Sequence, residues 1–283
     1  MKIGMNLLLW TGDASGEKYL PLFENLKKMG FDGVELPLFD LNPGKFADLG
    51  KHLDRIGLAR TGVTVRGAED DPMSADAHVR ARGVANNKLA LDCCQAGGMT
   101  VLAGPYHSAI GKFSGHGPSR DEWNYAVDSM KQVAAHASAC GVTLALEYLN
   151  RFECYLLNCA VDAVRFIQDV GHASCRTMWD TFHAHIEEKD IPAGIRKMAP
   201  VMAHVHISEN DRSTPGQGLV NWKATFDTLR EVKYDGWMTV EAFGQALPEL
   251  AAATKIWRKM FESEEQLARD AVAFIKAELA QRG

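Results

Sequence analysis

Val142-Thr143-Leu144-Ala145-Leu146-Glu147-Tyr148-Leu149 reads as a short buried strand that turns acidic at its C-terminal end. Its side chains alternate, with Leu144 and Leu146 on one face and Ala145 and Glu147 on the other. A glutamate that points into a core is tolerated only beside a cation or dense hydrogen bonding. The same ending recurs downstream, with Asp180 closing RTMWD (176–180), His206 closing AHVH (203–206) and Glu241 closing MTVE (238–241). Acidic and imidazole groups at the C-terminal ends of successive strands are where a (β/α)₈ barrel keeps its chemistry. Two glutamates, one aspartate and one histidine make a hard, oxygen-rich set, suited to Mn²⁺, Mg²⁺ or Co²⁺ rather than to a thiolate metal.

Working outward, eight β-like runs alternate with helical stretches: 2–10, 32–38, 59–66, 99–105, 142–149, 175–180, 202–208 and 237–243. This alternation favours parallel strands joined by crossover helices, and eight is the barrel count. Apolar residues recur at helical spacing in segments that stop at Gly30, Gly57, Gly97, Gly141 and Gly171, where a left-handed capping residue is wanted. Residues 248–281 read as one longer helix that closes the outer ring. With 283 residues, 46% of them hydrophobic, the expectation is one TIM-barrel domain over 1–283.

A net charge of −5 without any Lys/Arg run argues against nucleic acid as a partner. The apolar run near the N-terminus stops at Thr11-Gly12-Asp13, too early for a signal segment, and no stretch approaches the roughly 20 residues of a membrane span. A cytoplasmic protein is expected. Six cysteines without a CxxC pair read as free thiols. Two long, glycine-rich loops, 104–120 and 208–219, follow strands and so lie on the catalytic face, as substrate walls or as plain solvated connections.

Further residues collect at the strand ends. His183 follows Asp180 by three positions, in reach of a substrate oxygen. His204 shares a face with His206 and suits the interior below it. Arg212 could hold a substrate oxygen, or pair with Glu209 or Asp211. Trp10, Tyr106, His107 and Phe243 could line the pocket or fill space.

Assembled, these residues resemble the D-tagatose 3-epimerase family, which includes D-psicose (D-allulose) and L-ribulose 3-epimerases, within the xylose isomerase-like barrels. The likeness runs over nearly the whole chain. It rests on LALEYLNRFE (144–153), WDTFHAHIEE (179–188), His206 paired with Arg212 before Pro215-Gly216, Glu-x-Phe ending at Phe243, and GPYHS (104–108). The resemblance implies one divalent ion, Mn²⁺, Co²⁺ or Mg²⁺, on Glu147, Asp180, His206 and Glu241. Substrate binding by Glu153, His183 and Arg212 is implied as well, together with a homodimeric or homotetrameric assembly. Tyr148 and Ala242 stand where the family often has proline, a departure that bears on sugar preference.

The activity implied is inversion at C3 of a free ketose, through an enediolate, with Glu147 and Glu241 exchanging the proton on opposite faces. Aldose-ketose isomerisation is the nearest alternative. A metal phosphodiesterase needs more ligands and a basic surface, and a non-catalytic sugar-binding barrel would not keep both proton carriers.

Overall fold

The computed structural model describes residues 1–282. Eight parallel strands close into a barrel in chain order: β1 (Lys2–Asn6), β2 (Gly33–Pro37), β3 (Ala59–Val63), β4 (Val101–Gly104), β5 (Thr143–Glu147), β6 (Cys175–Asp180), β7 (Met202–Ile207) and β8 (Trp237–Val240). The ring is sealed by β1 against β8, with Lys2 opposite Trp237 and Met5 opposite Val240. Ten helices among the described residues surround it: α1 (Leu20–Met29), α2 (Pro43–Ile56), α3 (Ala77–Gly97), α4 (Arg120–Cys140), α5 (Ala160–Val170), α6 (Thr181–Glu187), α7 (Ile191–Met198), α8 (Trp222–Glu231), α9 (Pro248–Ala253) and α10 (Glu264–Ala280). None is long and apolar enough to cross a membrane. All six cysteines are free thiols.

Alternation divides each strand between two environments. Leu144, Leu146, Trp179, Val205, Ile207, Met238 and Val240 join the large core between barrel and helices. Their neighbours turn inward, where Val101, Ala103, Ala145, Met178 and Trp237 form a separate small cluster. Trp237 fills the floor of the barrel because facing strands yield space to it. A Cβ added at Gly33 would lie 2.5 Å from the Trp237 ring, and one at Gly4 would lie 3.3 Å from it. Above this apolar floor the inward positions become polar. A register shift between Thr177 and Met178 sets Asp180 level with His206 across the β6–β7 pair.

Most expected boundaries are shifted by a few residues, and two differences have a clear physical cause. The first strand ends at Asn6, not Trp10, because the Asn6 side chain accepts the Leu8 N–H at 2.9 Å and turns Leu7–Leu9 into a 3₁₀ turn. The expected helix over 248–281 is two helices. Lys255, at φ 63°, ends α9, and Ser263 caps α10 by accepting the Gln266 N–H. Between β6 and β7 the chain forms α6 and α7, which periodicity does not announce. The glycine stops hold, with Gly98 rather than Gly97 taking the left-handed position after α3.

Candidate active site

The C-terminal ends of four adjacent strands carry the cluster. Glu147 ends β5, Asp180 ends β6, His206 lies on β7 and Glu241 directly follows β8. One ligand atom from each lies within 4.8 Å of the others, and all four residues are buried. His206 Nδ1 faces all three carboxylates, 3.3 Å from Glu241 Oε1, 3.6 Å from Asp180 Oδ2 and 3.7 Å from Glu147 Oε1.

Each carboxylate is oriented differently. Asp180 is also the N-cap of α6: its Oδ1 accepts the N–H groups of Phe182 (2.6 Å) and His183 (3.3 Å), which leaves Oδ2 for the cluster. Glu241 Oε2 accepts Arg212 Nη1 at 2.6 Å, and its Oε1 accepts Asn6 Nδ2 at 3.3 Å. Glu147 Oε1 has no hydrogen-bond partner, although it is buried. Burial, reinforced by the Glu241 charge, therefore pushes the Glu147 carboxyl up to about 8. Asp180 goes the other way: burial opposes its ionisation, but the Arg212 guanidinium together with the His183 and His206 rings holds it well below the carboxylate range.

The residues fit a divalent cation. Two buried ligand atoms, Glu147 Oε1 and His206 Nδ1, point into the cluster without partners. Burial alone would lower the His206 pKa, yet the Glu241 and Glu35 carboxylates raise it well above its ordinary value, so the cluster draws positive charge to this imidazole. Three carboxylate oxygens and one imidazole are the donor set of a hard ion.

Arg212 sits in the 208–219 loop with φ 64°, a left-handed backbone that a bulky residue rarely adopts. Glu209 holds that loop. Fully buried, it accepts the N–H groups of Asn210, Gly216 and Val220 and the Trp222 indole N–H. Glu209 thus binds loop backbone rather than Arg212, whose partners are Asp180 (3.2 Å), Ser208 Oγ (3.0 Å) and Glu241. The guanidinium carbon lies 3.7 Å from the Phe182 ring centroid and 5.1 Å from that of Phe243.

His183 lies in the first turn of α6. The Asn150 backbone N–H donates to its Nδ1 at 3.0 Å, so the ring proton belongs on Nε2. That Nε2 stands 3.7 Å from Glu147 Oε1 and 3.0 Å from Arg212 Nη2. Burial pushes the His183 imidazole down to about 3, which keeps it neutral. Arg212 Nη2 and His183 Nε2 thus stand within hydrogen-bond distance of each other, beside Glu147 Oε1. Glu153, half-buried, accepts Asn150 Nδ2 at 2.7 Å and is tied through Asn150 to His183.

The aromatic positions divide. Phe243 is buried with Leu8, Val63, Ala251 and Ile256 in an apolar cluster beside Arg212, and Trp10 is half-buried against the core. Tyr106 and His107 commit their polar atoms to the protein's own backbone and side chains. The Tyr106 hydroxyl donates to the Leu102 carbonyl at 2.8 Å. His107 Nε2 meets the Glu147 carbonyl at 2.8 Å and its Nδ1 meets Ser108 Oγ at 2.9 Å, so the ring braces the backbone of a cluster residue. Burial pushes its pKa down to about 4. Sequence reading missed Asn6, Glu35, Asn150 and Phe182. For Glu35 a signal exists, as an acid flanked by Val34 and Leu36 in DGVELPL.

This barrel with an acid-and-imidazole mouth defines a class. The model described as xylose isomerase-like TIM barrel matches residues 23–278, and the chain belongs to that family. The L-ribulose 3-epimerase of Mesorhizobium japonicum is 34% identical over 97% of this chain and 93% of its own. The ketose 3-epimerase of Arthrobacter globiformis is 32% identical over 99% and 97%. The crystal structure of the D-allulose 3-epimerase from Methylomonas sp. in complex with D-allulose superposes with a TM-score of 0.92, at 27% identity, covering 98% of this chain and 97% of that one. Within the xylose isomerase-like barrels the chain falls among the ketose 3-epimerases, and it is an enzyme of the isomerase class.

Proposed function

We propose that the chain is a divalent-metal-dependent ketose 3-epimerase that inverts C3 of free ketohexoses or ketopentoses of the D-tagatose, D-fructose/D-psicose or L-ribulose type. One observation carries the reading. Glu147 and Glu241 stand at the two ends of an arc of four adjacent strands, with Asp180 and His206 between them. A carbon held across the middle of that arc meets a carboxyl group on either side, as inversion by proton exchange requires.

The proton beside a ketone is very weakly acidic, so its removal needs charge stabilisation at the neighbouring oxygens. A divalent ion on Glu147, Asp180, His206 and Glu241, with Mn²⁺ favoured and Co²⁺ or Mg²⁺ possible, supplies Lewis-acid polarisation of the ketone and adjacent hydroxyl. The chain's own donors complete the oxyanion environment. His183 Nε2–H and Arg212 Nη2–H converge on one small volume beside Glu147 Oε1, suited to a substrate oxygen. Glu153 fixes this arrangement through Asn150 and contributes to the substrate's carbonyl end.

One glutamate takes the C3 proton and the other, protonated, returns one to the opposite face. Either can begin, so the reaction runs both ways. Arg212 is committed to Asp180 and Glu241, which leaves it without the free paired cations that a sugar phosphate attracts. Trp10 and Phe243 are assigned to the sugar's far end.

The test is incubation of the Mn²⁺-loaded protein with free ketoses in D₂O, with NMR to place the label. Deuterium at C3 together with the C3 epimer is expected. Label only at C1 or C2 with an aldose product assigns an isomerase instead, and no exchange with any ketose overturns the substrate class.

A further inference from the structure

Below the mouth lies a second carboxylate that the proposed reaction does not use. Glu35, inward-facing on β2, is fully buried, and each of its oxygens meets two polar groups. Its Oε1 lies 2.7 Å from His206 Nε2 and accepts Asn6 Nδ2 at 3.0 Å. Its Oε2 accepts Thr61 Oγ1 at 3.0 Å and lies 2.9 Å from His204 Nε2. An ionised carboxylate only accepts hydrogen bonds, so the ring nitrogen facing Glu35 must carry a proton. The other ring nitrogen, Nδ1, is the one that faces Glu147, Asp180 and Glu241.

We propose that Glu35 is a positioning residue that fixes the tautomer of His206: by holding a proton on Nε2 it leaves the Nδ1 lone pair, in a fixed ring orientation, for the metal. This rests on the metal-dependent reading above and extends it to a residue outside the ligand set. Asn6 links the two layers, since its Nδ2 lies within reach of both Glu35 Oε1 and Glu241 Oε1. Glu35, a charged acceptor held by groups from β1, β3 and β7, therefore sets the angle of His206 and restrains Glu241. A partner of this kind raises ligand basicity and orients the ring, and its loss typically costs about 10–100-fold in metal affinity.

The test compares the full-length protein with Glu35→Gln, which keeps the shape and removes the charge, and with Thr61→Val, which removes one donor to Glu35 and touches no metal ligand. Mn²⁺ affinity is measured by titration followed by electron paramagnetic resonance, and His206 protonation by ¹⁵N NMR of the Mg²⁺-loaded, histidine-labelled protein. In the wild type the proton is expected on Nε2. Mn²⁺ affinity is expected to fall about 10-fold or more in Glu35→Gln and about 2–5-fold in Thr61→Val. Turnover of Glu35→Gln should recover as Mn²⁺ is raised to saturation, which a purely structural defect would not do. A proton on Nδ1 in the Mg²⁺ form, or a folded Glu35→Gln that binds Mn²⁺ within twofold of wild type, overturns the inference and leaves the metal reading standing. A wild type that binds neither ion overturns the metal reading itself.

Discussion

The two sides of the barrel mouth offer the same side chain opposite treatments. On the β8 side, Glu241 is held by a guanidinium and an amide, with Arg212 Nη1 at 2.6 Å and Asn6 Nδ2 at 3.3 Å. On the β5 side, Glu147 has a bare buried oxygen and a carboxyl pushed up to about 8. One glutamate is thus anchored by a cation and an amide, while the carboxyl of the other favours its protonated form at neutral pH. Stability and function also conflict more on the β5 side, where the carboxylate, once ionised, lacks the guanidinium and amide that hold Glu241.

That comparison is tested hardest by replacing each glutamate in turn. Glu147→Gln and Glu241→Gln should each lower turnover by about 10³-fold or more, measured as C3 exchange, because each removes a proton carrier. Their effects on the metal-stripped protein should have opposite signs. Glu147→Gln should gain roughly 1–2 kcal/mol in denaturant melts, as replacements of unbalanced functional groups commonly do. Glu241→Gln should lose about 2 kcal/mol, since a hydrogen bond to a charged group is weakened in the interior.

The gain in Glu147→Gln should also depend on pH. The folded metal-free chain holds the Glu147 proton more tightly than the unfolded chain, so wild-type stability declines as pH rises from 4.5 to about 8. The gap should open across that window and close below it; a gap independent of pH would mean that Glu147 is not the source. Bound Mn²⁺ should cancel the difference.

A smaller effect is expected at Arg212. Arg212→Lys keeps the charge but cannot reach Asp180, Glu241, Ser208 and His183 together, and should lower kcat/KM by about 10²-fold. Smallest of all is Phe182→Leu, which removes the ring 3.7 Å from the guanidinium carbon. It should cost about 1 kcal/mol in kcat/KM, a factor near 5, with the two glutamates still active.

The barrel and the four residues of the cluster are legible because each lies at the polar end of an alternating run, a pattern that survives without knowing what faces it. Glu35 is not, although it too interrupts an apolar strand. Its meaning depends on β7 lying across the barrel, where His204 and His206 meet it, and no local spacing records that. Asn6 was hidden inside KIGMNLLLW because the apolar LLL that follows looks like continuing strand, whereas the amide side chain turns the chain there. The α6–α7 segment is hard to read because its two helices are only seven and eight residues long and are separated by Glu188, Lys189 and Asp190. For Tyr106 and His107 the sequence leaves direction open: an aromatic residue after a strand can turn toward the mouth or toward backbone, and the polar atoms of these two meet the Leu102 and Glu147 carbonyls.

The Trp237 floor has a consequence for traffic. With the indole seated against Gly4 and Gly33, the N-terminal end of the barrel is filled, which leaves the polar C-terminal mouth as the way to the cluster. Sugar enters and its epimer leaves through the same opening, so the product competes with fresh substrate for passage as well as for the site. Faster exchange must then be sought at the rim, in the 104–120 and 208–219 loops, because enlarging the far end would breach the packing that closes the ring.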